Sequence, residues 1–359
     1  MYLAIRNQIE KKKIDTEKKP YRADSLAFLA PQGKPPVLSS LRPQLDLALL
    51  TSVPPSVKDF GETLAEHCMF RIQTISNKNV REVLGKSDLD CNKGDIHILF
   101  GLQHAPSGMT LRKVKRLREH NIFTMTLAFD GPSEYGCGFA SERDTGLTDK
   151  GRTLLENMSA VEMCVDLSHA GHKTAGDALE FIRQKKLLVR PIVTHGGCYA
   201  VYPHKRNLPD DILKEVAQMG GYVGISLITF LLGAKGSDEL EEFVQHVKHA
   251  IYVCGEDAVG VGSDCPHMDM SRINAQRNYK RLTGKLKTNG KFGERFPDRP
   301  ERIYREGGRM FEILQELLLK ECDPDIIDLT REAVEITPDI KKKVLGLNFR
   351  NFVERSLPK

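Results

Sequence analysis

The sequence predicts an α/β fold built from parallel βαβ units, and three observations carry that prediction. Between residues 95 and 264, apolar runs of strand length alternate with amphipathic helical patterns. The runs are near-continuously apolar rather than alternating, as expected for strands covered by helices on both faces. No GxGxxG fingerprint follows an early run, which weakens a nucleotide-binding sheet. At least six strands fall in this span, a count that an open doubly wound sheet and a closed (β/α)8 barrel both satisfy.

The elements read in order as follows. "DIHILFGL" (95–102) is a buried strand, "TLRKVKRLREH" (110–120) a helix and "IFTMTLAF" (122–129) a strand. "GLTDKGRTLLENMSA" (146–160) is helical, with Thr148 as N-cap. "VEMCVDL" (161–167) is a strand, "AGDALEFIRQKK" (175–186) a helix and "LLVRPIVT" (187–194) a strand. "NLPDDILKEVAQMGG" is a helix that Asn207 can cap, with Pro209 early and Gly220 at its end. "YVGISLITF" (222–230), the helix "DELEEFVQHVKHAIYV" (238–253) and the strand "DAVGVGSD" (257–264) complete the series.

The flanks are less patterned. Residues 1–60 hold a lysine-rich start and the proline-rich "PQGKPPVLSSLRPQ" and "TSVPPS", which argue against long regular elements. Residues 271–335 are charged and helical without evident strands and read as a helical elaboration. The whole chain, 1–359, reads as one barrel domain with these two additions.

Composition excludes several classes. With 40% apolar residues in 359, the chain can bury a full core. A net charge of +5, with scattered Lys and Arg and no Trp, offers no nucleic-acid footprint. The eight cysteines form no CxxC pair and read as free thiols in a reducing compartment. The charged N-terminus lacks a signal-peptide core, and no run approaches the roughly 20 apolar residues of a membrane span. These features predict a cytoplasmic protein whose partner is a small molecule, with no nucleic acid and no membrane.

In a parallel α/β barrel, the C-terminal strand ends converge on one face and chemistry collects there. His169 follows strand 161–167, His195 follows strand 187–194 and Asp264 ends strand 257–264. Taken singly, each reads as a hydrogen-bonded loop residue. Taken together, two imidazoles and a carboxylate read as a shared site with the usual ligands of zinc. His172 reads as a helix-start residue. Arg206, just before a helix N-terminus, suits a substrate carboxylate or a solvated basic turn. Cys265 and His267 stand close to Asp264 and are read as non-ligands.

Longer blocks resemble a known family. "GLTDKGRTLLENMSAVEMCVDLSHAGHKTAGDALE", "PIVTHGGCYAVYPHKRNLPDDILKEVAQMGGYVGISL", "VGVGSD" and "IKKKVLGLNFRNF" (340–352) resemble, in order, segments of the membrane (renal) dipeptidase family of the amidohydrolase superfamily. The resemblance covers roughly residues 95–265 plus the C-terminus, and residues 1–90 match poorly. It implies a (β/α)8 TIM-type barrel with an additional helical C-terminal region. It also implies two zinc ions bridged by a carboxylate and a hydroxide that attacks a dipeptide amide. By the resemblance, His169 and His195 are metal ligands, Arg206 grips the substrate carboxylate, and Asp264 is the general base and proton shuttle. Family members often pair, which suggests a homodimer.

Three departures qualify this picture. Gln103 stands where the family has its bridging Glu, and a neutral amide is a weak ligand. The first-strand His-x-Asp pair is best matched by "YRADSL", which puts Arg22 in place of His and keeps Asp24. Phe129 replaces a substrate-contacting His. One zinc ion, held by His169, His195 and Gln103, is therefore expected rather than two, or none. The function expected is a dipeptidase-like metallohydrolase, mononuclear, acting on a dipeptide or small amide. The alternative is a metal-poor relative doing acid–base chemistry, as an isomerase, a lyase or a biosynthetic tailoring enzyme, on an amino-acid-like molecule. A catalytically dead binding barrel stands third, because it gives no reason for all four polar residues.

Overall fold

The computed structural model describes residues 20–28, 45–90, 94–228, 231–233, 241–266, 310–318 and 334–358. Its centre is a parallel sheet of β1 (Ala23–Phe28), β2 (Leu47–Thr51), β4 (Ile96–Leu102), β5 (Ile122–Thr126), β6 (Cys164–Asp166), β7 (Pro191–Gly196), β8 (Tyr222–Ile225) and β9 (Val259–Val261), paired in that order. A short β3 (Val80–Glu82) flanks β4, and β10 (Cys265–Pro266) pairs with β1. Because Cys265 follows β9 so closely, this last pairing brings the sheet back on itself as a nearly closed (β/α)8 barrel. Every residue of β4 and of β5 is buried, which is the burial their uninterrupted apolar sequence calls for.

Helices follow the strands. They are α1 (Phe60–Ile75), α2 (Leu111–Glu119), α3 (Asp149–Ser159), α4 (His172–Lys185), α5 (Asp210–Gln218) and α6 (Glu241–Cys254). The first three start on side-chain caps: Asp59 accepts from the Glu62 amide, Thr110 from Lys113 and Thr148 from Gly151. Asn207 does not cap α5. Pro209 holds that position, and the Asn207 amide donates instead to the Tyr202 and Leu231 carbonyls, tying the loop after β7 to the loop after β8.

The N-terminal region departs from expectation. Within residues 1–60 the prolines flank two real strands, β1 and β2, rather than preventing them. Their short apolar runs, "LAF" and "LDLALL", were hidden between punctuating residues. At the other end of the chain lie α7 (Met310–Leu317), α8 (Pro338–Lys342), a π-helical turn (Lys343–Leu347) and α9 (Asn348–Ser356). The Asn348 amide donates to the Glu256 and Val259 carbonyls at the start of β9. Phe349 and Phe352 pack on Tyr222 at the start of β8. The C-terminal helix thus covers the N-terminal end of the barrel and leaves the opposite mouth for chemistry. Within 271–335, the described part is 310–318 and the start of 334–358, so most of the predicted elaboration lies outside the described residues, as do His267 and the lysine-rich start.

The described cysteines 68, 137, 164, 198, 254 and 265 are free thiols. No described helix is long and apolar enough to cross a membrane.

Candidate active site

The strand ends place the predicted residues at one mouth. His195 lies within β7, while His169 follows β6 by three positions, and both are buried. Their Nε2 atoms approach to 3.0 Å, and Asp264 Oδ2 is 3.9 Å from His195 Nε2. Arg206 is buried, and its Nη2 donates to the His195 carbonyl at 3.1 Å. His169, His195, Arg206 and Asp264 therefore form one group. Gln103, one residue past β4, is buried at the same end of the barrel. His172 is turned away and meets the Asn207 carbonyl through Nε2.

Asp166 is what holds the two imidazoles in place. Its Oδ1 accepts from the Ser168 amide and hydroxyl and from the Thr194 amide, and its Oδ2 from the Thr194 hydroxyl. One carboxylate thus clamps the ends of β6 and β7. The same network sets a tautomer. Thr194 spends its hydroxyl hydrogen on Asp166, so its oxygen, 2.8 Å from His195 Nδ1, accepts the hydrogen there. Across the gap, His169 Nδ1 donates to Asp130 Oδ1 at 3.2 Å. Both Nδ1 atoms carry hydrogen, so both Nε2 lone pairs point at the same space.

That arrangement calls for an electrophile between the two nitrogens. Two imidazoles about 2.1 Å from one tetrahedral zinc ion would have their nitrogens about 3.4 Å apart, a few tenths of an ångström beyond the separation here. Burial, with help from Arg206, holds both histidines well below the usual imidazole range and hence neutral, as ligands must be. The residues present fit one cation. Among the described residues no group of three or more His, Cys, Asp or Glu side chains is placed to hold a metal, so the imidazole pair is the only such ligand set the geometry offers this ion there.

Arg22 and Asp24 correct the expectation placed on them. Arg22 precedes β1, at the opposite end of the barrel from His169, and its Nη2 reaches Gln315 Oε1. It is not a cation at the site. Asp24 Oδ1 accepts from the Leu26 and Ser263 amides and its Oδ2 from the Ser263 hydroxyl. It fastens β1 to the end of β9. Cys265 is buried beside this junction, with its amide on Ser263 Oγ.

Asp264 is aimed by the backbone. A Cβ on Gly262 would lie 1.8 Å from the Thr194 carbonyl oxygen, so only glycine lets β9 approach β7 this closely. Asp264 then takes φ of 55°, a left-handed conformation that Asp and Asn tolerate better than most residues. Its side chain keeps 24% of its surface open to the mouth. Burial, opposed by Arg206 and reinforced by Asp24, Asp130 and Asp166, raises its pKa to about 7. A carboxyl so placed can take a proton and return it.

Two residues that sequence reasoning passed over complete the site. Asp130 orients His169, and an acidic residue directly after strand 122–129 was the signal for it. Phe139 lies under the Arg206 guanidinium, 5.8 Å from ring centroid to Cζ, and has no comparable signal in the sequence. Phe129, the replaced histidine, stacks on His169 at 4.1 Å between centroids.

Comparison with known proteins agrees with this architecture. The profile of the family described as Membrane dipeptidase (Peptidase family M19) matches residues 55–295. An uncharacterized dipeptidase of Schizosaccharomyces pombe is 33% identical over 124 residues, 34% of this chain and only 28% of that relative's length. An amidohydrolase from Pseudomonas aeruginosa shares the fold with a TM-score of 0.72 at 21% identity, over 95% of this chain and 97% of that one. A metallopeptidase from Rhodobacter sphaeroides, solved with a phosphinate mimic of the dipeptide L-Ala-D-Ala, superposes with a TM-score of 0.66 at 15% identity, over 94% and 100% of the two chains.

Proposed function

The chain belongs to the membrane dipeptidase family (peptidase family M19), and from that premise we propose that it is a dipeptidase-type hydrolase that opens the amide bond of a dipeptide at the barrel mouth, with one metal ion. The observation that carries this reading is the pair of Nε2 lone pairs directed at one point, 3.0 Å apart.

His169 and His195 would hold the ion, with the amide oxygen of Gln103 as a third ligand. A zinc ion there supplies Lewis acidity toward the scissile carbonyl and the attacking water. The protein's own groups do the rest. Arg206 presents a buried Nη1 with no hydrogen-bond partner among the described residues, a donor for the substrate carboxylate. Phe139 under the guanidinium keeps water from that contact. Asp264 takes the proton from the attacking water and passes it to the departing amine, which its pKa of about 7 suits. Asp130 and Thr194 keep each imidazole in the tautomer that leaves Nε2 bare.

Elemental analysis after chelator-free purification, paired with a dipeptide panel, tests this. The expected result is about one zinc per chain with turnover, both lost in His195→Ala. A protein that holds no zinc and cleaves no dipeptide overturns it. One observation favours a second reading. No third metal-ligating His, Cys, Asp or Glu joins the pair among the described residues. A metal-free site would leave Asp264 and the imidazoles to move protons on an amino-acid-like molecule, giving isomerisation or elimination in place of hydrolysis.

A further inference from the structure

The flank of the mouth built from the loops after β2 and β4 carries polar groups that the proposed reaction leaves idle. These two strands are hydrogen-bonded neighbours, with Thr51 opposite Gly101. Their loops are laced together at both ends. The Ser52 amide donates to the Gly101 carbonyl at 3.2 Å, and the Ser107 amide to the Lys58 carbonyl at 2.9 Å. Between those ties lie Gln103 and His104, which are 5% and 1% exposed.

Gln103 Nε2 and both ring nitrogens of His104 are buried with no hydrogen-bond partner among the described residues. The Val57 backbone lies near the His104 ring without aligning as a true partner. Burying such groups unmade is costly, and a structural role alone gives no reason to keep them. Lys58, at the surface, acts electrostatically on this flank: its charge depresses the His104 imidazole, while Asp130 partly restores the ammonium that partial burial weakens. Asp130 in turn holds His169. The run Lys58, Asp130, His169 places this flank directly beside the imidazole pair.

The chemistry of the flank is that of a hydrogen-bond donor set. A carboxamide offers two N–H groups, a neutral imidazole one and an ammonium three. Asp130 is already committed to His169. A cation would meet Lys58 head-on. A neutral amide would bring the ammonium no charge beyond that of Asp130, which His169 already shares. A carboxylate, with two acceptor oxygens and one negative charge, satisfies all three groups.

We propose that Gln103, His104 and Lys58 form a second carboxylate subsite, so that the preferred dipeptide carries an acidic side chain, with its α-carboxylate on Arg206 and its side-chain carboxylate in this pocket. The proposal rests on the dipeptidase reading and names the substrate class. Gln103 serves both, its amide oxygen turned to the metal and its Nε2 to the pocket.

The test pairs kinetics with a binding measurement that needs no turnover. Glu-containing dipeptides, with Glu first or second, are compared with their Gln counterparts, and glutarate binding is measured by calorimetry. The expected result is a kcat/KM at least tenfold higher for one Glu peptide than for its Gln twin, with that ratio falling toward one in Lys58→Met. Glutarate affinity falls at least tenfold in Lys58→Met and in His104→Leu. His104→Leu also melts no lower than the unaltered protein, whereas loss of a structural imidazole would lower its melting temperature. Equal rates on Glu and Gln peptides, with glutarate affinity unchanged in both variants or no glutarate binding at all, overturn the subsite and leave the hydrolase reading intact. Glutarate binding that Lys58→Met abolishes, in a protein that cleaves no dipeptide, keeps the subsite and removes the hydrolase reading instead.

Discussion

The two flanks of the barrel mouth handle polarity in opposite ways. At the β6–β7 corner the carboxylate beneath the imidazoles is fully engaged: Asp166 accepts five hydrogen bonds, two of them from Thr194, whose oxygen in turn meets His195. At the β2–β4 flank, Gln103 and His104 keep three buried nitrogens without partners among the described residues. A saturated network is rigid and fixes the direction of its ligands. An unsaturated one is finished only by something that arrives. On the proposed reading, the first flank holds a fixed point of chemistry and the second recognises a substrate.

Asp166 carries most of the first flank's stability. Asp166→Ala leaves the Ser168 and Thr194 groups buried without their acceptor and unfastens β6 from β7. The expected cost is about 3–5 kcal/mol of folding stability, read by urea denaturation. A change under about 1 kcal/mol would mean that the corner is not held by this carboxylate.

Asp264→Asn separates catalysis from folding. Asn also tolerates positive φ, so the backbone at 264 should stand while the proton acceptor goes. A fall in kcat of about 10²–10⁴ is expected with an unchanged melting temperature. Full activity in Asp264→Asn removes Asp264 from the chemistry.

A smaller effect is expected at Asp130. Asp130→Asn retains a hydrogen-bond acceptor for His169 Nδ1 but removes the carboxylate charge that, behind a ligating imidazole, strengthens it as a ligand. Zinc affinity should drop about 10- to 100-fold, measured by competition with a chromogenic chelator. Unchanged affinity would assign Asp130 wholly to the Lys58 side of the mouth.

The same contrast explains what the sequence could reveal. The α/β alternation from 95 to 264 was legible because buried parallel strands leave unbroken apolar runs. His169, His195, Arg206 and Asp264 were legible because each stands where such a run stops or just before a helix. Asp24 and Arg22 misled for a physical reason. Spacing says which residues neighbour one another along a strand, not which end of the barrel they occupy, and Arg22 lies at the far end. β1 and β2 were obscured because prolines and glycines on either side interrupt any periodicity. Asp130 and Thr194 act through partners distant in sequence, and pairings of that kind follow from the fold.

Acid acts on both flanks, because it attacks neutral buried imidazoles on every side of the barrel. His246 Nδ1 accepts from the Cys198 amide at 2.8 Å while its Nε2 meets the Leu232 carbonyl. His67 meets the His120 carbonyl through Nε2 and Ser52 Oγ through Nδ1, and its ring packs edge-on against Phe100. Burial lowers His67 and His104 to about 4 and His246 to about 3. These rings therefore bind fewer protons in the folded chain than in the unfolded one, whose histidines titrate near 6.5, while Asp264, raised to about 7, offsets about one of them. Stability is fully present above about pH 6.5 and declines as pH falls toward 4, where the folded-state groups begin to accept protons as well. The slope is at most about 1.4 kcal/mol per histidine for each pH unit. Urea midpoints measured between pH 7 and pH 5 should fall steadily, and His67→Gln should flatten part of that fall while costing stability at pH 7. A midpoint level across the range would overturn the neutral folded-state assignment of these rings, beginning with His246, whose Nδ1 accepts from the Cys198 amide.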